Sequence, residues 1–93
     1  MTEAISARIA ALHPRIKRKL RAAIDDILGG REQGKPLQDE LSGLSSLRLG
    51  QFRLVFRPQP GGDVEIVAFG PRSSIYEETS RLMRQVQRAR QMP

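Results

Sequence analysis

Arginine and tyrosine residues lie within and directly after two strand-like runs, at 52–56 and 64–69, in a pattern that could bind a phosphodiester. Arg53 lies inside the first run, and Arg72 and Tyr76 follow the end of the second. A guanidinium group binds phosphate oxygens through two N–H groups at once and stays charged at any physiological pH. A phenol close to such a group can donate or accept a proton when a phosphate ester is cleaved. We therefore expect Arg53, Arg72 and Tyr76 to converge on one pocket as candidate catalytic residues.

Further basic residues are candidates for binding an RNA backbone, namely Arg48, Arg57, Lys17 and Lys19. Arg57 lies four residues after Arg53, on the same side of a strand, whereas both lysines belong to a stretch at 15–21 with five cations and no acid. The formal net charge of +6 also favours an anionic partner. A surface kept basic for solubility would explain the net charge equally well, and the basic stretch does not distinguish RNA from DNA or protein.

A purely structural role is the alternative for two of these residues. Tyr76 is the only tyrosine, and a lone tyrosine near the start of a helix is often a packing residue with one hydrogen bond. Arg53 could be a solvated residue on an exposed face of the sheet. Composition and spacing alone favour the structural role for Tyr76 and leave both interpretations open for Arg53.

The composition limits the protein to a small domain without thiol chemistry. Its 93 residues predict one domain over 1–93 with a single modest core. The absence of cysteine excludes disulfides and thiolate metal sites, and the single histidine, His13, argues against a zinc site, so we predict no metal and no cofactor. The sequence shows no signal peptide and no apolar run near the ~20 residues of a membrane span, which predicts a cytoplasmic protein without membrane association.

Two helices are predicted in the first third of the chain, at 3–12 and from Pro14 to Gly29, because apolar residues recur at helical spacing in both. Pro14 suits the first turn of a helix, where its missing N–H is not needed. His13, just before it, is expected to act as a loop cap. The two helices should pack as a hairpin, and a short helical turn is expected within 37–44.

Strand-like alternation replaces the helical pattern from residue 47 onward. The runs at 52–56 and 64–69 are expected to form an antiparallel hairpin around the turn-forming cluster at 58–62. Gly50 provides a turn from a third strand at 47–49.

Strict alternation in the last strand places Val67 and Phe69 on one face and Ile66 on the other. After the sheet we expect a short extended piece at 74–76 and an amphipathic helix at 77–90. These elements together predict an α+β fold, in which a small antiparallel sheet of about three strands packs against an N-terminal helical hairpin, with a C-terminal helix.

Two motifs within this order of elements carry a family resemblance. They are Leu-Arg-Leu-Gly-Gln-Phe-Arg at 47–53 and Gly-Pro-Arg-Ser-Ser-Ile-Tyr at 70–76. With the preceding helical hairpin and a Lys-Pro-Leu segment, the chain resembles the RelE/ParE toxin superfamily of bacterial toxin–antitoxin systems. The resemblance implies a small antiparallel sheet with two helices on one face. It also implies that Arg53 and Arg72 contact phosphate, with Arg48 as a weaker candidate.

The resemblance leaves three functions open. RelE-type members are implied to be ribosome-dependent mRNA endonucleases, and ParE-type members are implied to poison DNA gyrase. The spacing from Arg72 to Tyr76 resembles the RelE branch more closely, so we expect an mRNA endonuclease that inhibits translation, with Tyr76 as general acid, general base or stacking partner. A gyrase-poisoning toxin and a catalytically inactive basic binding module of the same fold are the alternatives.

The partners implied by the resemblance are a cognate antitoxin protein, mRNA and the ribosome. An antitoxin segment with acidic and apolar residues is expected to cover the basic face of the sheet or to add a strand at an open edge. The sequence defines neither the identity of this antitoxin nor the oligomeric state.

Overall fold

Three helices and a four-stranded antiparallel sheet form within residues 3–91, the part of the chain that a computed structural model describes, with side chains described for residues 5–88. The helices are α1 (Glu3–Ala10), α2 (Pro14–Leu28) and α3 (Ile75–Gln91). The strands are β1 (Lys35–Pro36), β2 (Ser45–Leu49), β3 (Phe52–Pro58) and β4 (Val64–Pro71). The predicted α+β class is thus confirmed, and no helix within residues 3–91 combines the length and apolar character needed to cross a bilayer.

The helical hairpin follows the predicted start and stop signals. Pro14 opens α2, and the His13 side chain caps the helix by accepting a hydrogen bond from the backbone N–H of Arg15 at 3.2 Å. Gly29 ends α2, and Gly30 adopts a positive φ of 76° that favours glycine. Together α1 and α2 cover one face of the sheet.

The sheet order is β1-β2-β3-β4, with each strand antiparallel to its neighbour. Gly50 and Gln51 form the predicted tight turn between β2 and β3, since Leu49 pairs directly with Phe52. A fourth strand that was not expected, the two-residue β1, lies at the edge of the sheet, and its Lys35 pairs with Ser46. A strand of two residues is too short to show apolar alternation, so no sequence pattern predicts it.

A β-bulge in β4 corrects the predicted alternation of this strand. Val55 pairs with Ala68 and Phe56 with Ile66, so Val67 is the extra residue of β4. Phe69 therefore packs with Ile66 on the helical-hairpin face, whereas strict alternation had placed it with Val67.

The two faces of the sheet bury separate apolar clusters. Facing α1 and α2, the buried residues are Leu20, Ile27, Leu54, Phe56, Ile66 and Phe69. On the opposite face, which α3 and the 3-10 turn Asp39–Leu41 cover, they are Leu41, Leu44, Val55, Val67 and Ile75. Burial on both faces holds β3 rigidly in the centre of the molecule, and side chains on this strand have fixed directions.

Arg8 joins α1, β4 and α3 at the side of the sheet where β4 is the outer strand. Its Nη1 donates to the backbone carbonyl of Phe69 at 2.8 Å and lies 3.4 Å from a carboxylate oxygen of Glu78. Through Arg8, α1 on one face of the sheet and α3 on the other are both linked to β4.

The backbone of Gly34 passes close to β2 and β3, and this close contact can be tested by measuring stability. Its φ is +66°, and a Cβ atom here would lie 2.8 Å from the carbonyl oxygen of Ser46 and 2.9 Å from the Phe56 ring. Because left-handed strain and overpacking both act, Gly34→Ala is expected to lower the free energy of unfolding by about 2–5 kcal/mol.

Gly30→Ala is the matched control for this substitution. Gly30 also has a positive φ, of 76°, but nothing lies within 4 Å of its added Cβ. Its expected loss is about 1–2 kcal/mol, from backbone strain alone. Urea denaturation of both variants measures the difference, and equal losses would contradict the close approach at Gly34.

Candidate functional site

A surface pocket on the α3 face of the sheet contains two of the three predicted catalytic residues. Its volume is about 430 Å³, and its lining residues are Lys35, Pro36, Leu37, Gln38, Arg53 and Tyr76. The strand β1 and the residues after it form one wall, while β3 and the first turn of α3 form the others. The pocket thus joins two cations and a phenol with a small apolar wall.

Arg53 is the central cation of this pocket. Its guanidinium carbon lies 5.4 Å from the centre of the Tyr76 ring, a cation–π distance. Its Nη1 donates to the hydroxyl of Ser46 at 3.4 Å. Its Nε is buried and has no hydrogen-bond partner among the described residues.

Tyr76 is half-buried in the first turn of α3, where the sequence had suggested an extended piece at 74–76. The prediction was wrong because a turn closes just before it: Ser74 N donates to the carbonyl of Pro71, and Glu78 N then donates to that of Ser74. The acidic first turn of α3 also suits the helix dipole. The phenol oxygen lies 3.1 Å from the Ser46 hydroxyl, which fixes its position.

Arg72 is exposed and does not line this pocket. Its backbone N–H donates to the carbonyl of Gln51 at 2.8 Å, which anchors the chain just beyond β4. It lies two residues after Gly70, the direct partner of Arg53 across the sheet. The structure therefore brings Arg53 and Tyr76 together and leaves the Arg72 side chain outside their pocket.

The predicted backbone-binding arginines lie on the same sheet face as Arg53. Arg48 is its direct partner on β2 and is exposed, with Nε donating to the carbonyl of Gly50 at 3.2 Å. Arg57 forms an ion pair with Glu65 on β4, with 3.2 Å between Nη1 and the carboxylate oxygen. Among the described residues Arg48 forms no ion pair, whereas the charge of Arg57 is partly neutralised by Glu65.

Lys17 and Lys19 lie on α2, the opposite side of the sheet from Tyr76. Both are exposed, and Lys17 borders a separate groove of about 350 Å³ between α1 and α2. A ligand in the Arg53–Tyr76 pocket cannot reach these lysines without wrapping around the molecule.

Sequence reasoning missed Lys35 and Ser46 as site residues. Lys35 enters the pocket only because the unpredicted strand β1 pairs with β2. Ser46 lies two residues before Arg48 in β2, so strand alternation could have placed it on the same face as Arg53. No sequence pattern, however, predicts that its hydroxyl is buried. Within the described residues, no three side chains of histidine, cysteine, aspartate or glutamate group as a metal site.

A small antiparallel sheet with a two-helix hairpin on one face is the architecture that the RelE/ParE resemblance implied. The family model described as ParE toxin of type II toxin–antitoxin system, parDE, matches residues 2–76. The chain belongs to this toxin family, within the RelE/ParE superfamily. No curated protein and no solved structure matches it. Membership of a type II system implies a cognate antitoxin protein as partner.

Proposed function

We propose that this toxin is an endonuclease that cuts translated mRNA at the Arg53–Tyr76 pocket and so inhibits translation. One observation carries the proposal: a guanidinium and a phenol hydroxyl are both held by the buried hydroxyl of Ser46, beside a second cation, Lys35. Cations fixed in place on a rigid sheet stabilise charge that develops on a phosphate, and a positioned hydroxyl transfers a proton.

The reaction proposed is attack of an RNA 2′-hydroxyl on the adjacent phosphorus. The 2′-oxygen forms a bond to phosphorus, and its proton passes to solvent. The bond from phosphorus to the 5′-oxygen breaks, leaving a 2′,3′-cyclic phosphate and a 5′-hydroxyl. Arg53 and Lys35 offset the negative charge of the phosphorane, and a preorganised donor such as the Arg53 guanidinium contributes about 3–4 kcal/mol. Tyr76 protonates the departing oxygen, and the Arg53 guanidinium stabilises the phenolate that remains.

Two exposed arginines extend the proposed contact along the RNA backbone. Arg48 flanks Arg53 on β2, and Arg72 follows Gly70, which flanks Arg53 on β4. Both side chains are exposed, so neighbouring phosphates can reach them. Their proposed role is to position the strand of mRNA, on the ribosome, with its scissile phosphate at the pocket.

Gyrase poisoning is the second candidate function, because the family model that matches is that of ParE toxins. A gyrase poison acts by binding a protein and needs no proton donor in its pocket. The phenol held by Ser46 beside Arg53 favours the nuclease, because binding to a protein does not require a proton donor next to a cation.

Controlled expression in cells that lack the antitoxin tests the proposal. We expect growth arrest with new 5′-hydroxyl ends in translated messages and intact DNA. Arg53→Ala is expected to reduce these cuts about a hundredfold or more, because it removes a donor to the phosphorane.

Arg31→Ala is the matched control, since Arg31 is exposed and its partners among the described residues belong to α2, away from the pocket. It removes the same charge and should leave the cuts unchanged. Broken DNA with intact messages would instead support gyrase poisoning. Absence of any arrest would leave only the inactive binding module, and either result would refute the nuclease.

A further inference from the structure

We infer that Ser46 fixes the direction of the hydrogen bonds in the pocket, so that Tyr76 donates its hydroxyl proton toward a bound phosphate ester. The polarity follows from the hydrogen-bond geometry alone, while its catalytic consequence rests on the proposed function. Ser46 is 1% exposed and lies on β2. Within the described residues its hydroxyl has two partners, Arg53 and Tyr76.

The first bond has a fixed direction. A guanidinium carries donors only, so the Ser46 oxygen must accept from Nη1 of Arg53. A serine hydroxyl also has one proton to donate. The question is therefore where this proton goes.

Only one direction of the second bond satisfies every group. If the Tyr76 hydroxyl donated to Ser46, the serine oxygen would accept twice and its own buried proton would have no acceptor. An unsatisfied buried donor costs about 1–3 kcal/mol. If Ser46 donates to the phenol oxygen instead, its proton is paired and the Tyr76 proton is free to point into the pocket that Tyr76 lines.

The resulting series of hydrogen bonds runs from Arg53 to Ser46, from Ser46 to Tyr76, and from Tyr76 to an oxygen of the ligand. Each donor polarises the next, which strengthens the last bond. During cleavage, the Tyr76 proton moves to the departing 5′-oxygen. The electron pair left on the phenol oxygen is stabilised by the proton that Ser46 keeps and donates. Ser46 is thus a positioning residue that makes Tyr76 a general acid.

The same geometry argues against Tyr76 as a stacking platform for a base. The Arg53 guanidinium lies 5.4 Å from the ring centre, and the ring also packs against the buried cluster that includes Val55 and Ile75. The hydroxyl is therefore the part of Tyr76 that a ligand meets.

The polarity can be measured without any catalysis, because Tyr76 is the only tyrosine. Isotope-labelled tyrosine gives one Cζ resonance, which moves toward the phenolate position when electron density on the oxygen rises. Ser46→Ala removes a donor to that oxygen, so the resonance should move toward the phenolate position. A move in the opposite direction, or none, would overturn the inference.

Ser45→Ala is the matched control. Ser45 is the same residue type on the same strand and is also buried, but it pairs with Phe56 and borders a cavity on the other face of the sheet. Its substitution should leave the Tyr76 resonance in place. A non-cleavable dinucleotide that lacks the 2′-hydroxyl should move the resonance of the unsubstituted protein toward the phenolate position, because donation to phosphate begins.

Cleavage kinetics provide a second test, which addresses the catalytic consequence of the Ser46 hydrogen bond. Ser46→Ala is expected to lower kcat about tenfold with KM within about twofold, since it weakens proton donation rather than binding. In a Tyr76→Phe background the same change should cost clearly less than tenfold, because the effect that passes through the phenol is already lost and only the contact of Ser46 with Arg53 remains. An equal tenfold loss in both backgrounds would show a merely structural role and overturn the catalytic part. If no RNA is cut at all, the proposed function fails, and the resonance still decides the polarity.

Discussion

Tyr76→Phe is expected to slow RNA cleavage by about 10²–10⁴-fold, the usual contribution of a general acid, and to relieve growth arrest. The change removes only the hydroxyl, so the ring keeps its place beside Arg53 and against the buried cluster. Folding should survive, with a loss of about 1–3 kcal/mol because the buried Ser46 hydroxyl loses its acceptor. Growth on induction, cleavage by the purified toxin and thermal unfolding measure the three effects.

Arg72→Ala separates proton transfer from phosphate binding. The Arg72 side chain is exposed and lies outside the pocket, so we expect this variant to weaken cleavage less than Tyr76→Phe does and to relieve arrest in part. The backbone contact from Arg72 N to Gln51 persists in the variant, which protects the fold. If both variants stay as toxic as the parent, the catalytic assignment is wrong.

Phe56→Ala is expected to lower the free energy of unfolding by about 3–5 kcal/mol, because it removes buried apolar surface and leaves a cavity. Phe56 is 1% exposed and packs in the cluster under α1 and α2. A small domain is stable by only about 5–15 kcal/mol, so the variant should be close to unfolding at 37 °C. Denaturant and thermal unfolding provide the measurement.

Phe52→Ala is the control for this loss, because it removes the same side chain from the same strand. Phe52 is only half-buried and stacks on Phe69, with 5.4 Å between ring centres. Its loss should be clearly smaller than that of Phe56→Ala. Similar losses would mean that the cluster is not centred on Phe56.

Local signals in the sequence predicted the helices and most strand positions. Pro14 and Gly29 mark the ends of α2, and Gly50 marks the turn between β2 and β3. These signals depend on neighbouring residues, so they need no knowledge of the rest of the fold. The two family motifs are local signals of the same kind, and the superfamily that they predicted is confirmed.

The features that the sequence did not predict depend on contacts between distant residues. The extra residue Val67 in β4 is defined only by its pairing with β3, and it moves Phe69 to the other face. The approach of Lys35 to the pocket depends on pairing with Ser46, eleven positions later in the chain. The two hydrogen bonds of the Ser46 hydroxyl likewise depend on the placement of Arg53 and Tyr76, which lie 7 and 30 positions further along the chain.

The guanidinium of Arg8 has a consequence for how this toxin behaves at high concentration. Outer strands are templates for aggregation, because their backbone groups can pair with another molecule. On β4, the carbonyl of Phe69 is already occupied by Arg8, which Glu78 holds in place. Any polypeptide that pairs along this strand must first displace that side chain, so the contact that joins α1 to α3 also discourages uncontrolled self-association of the toxin.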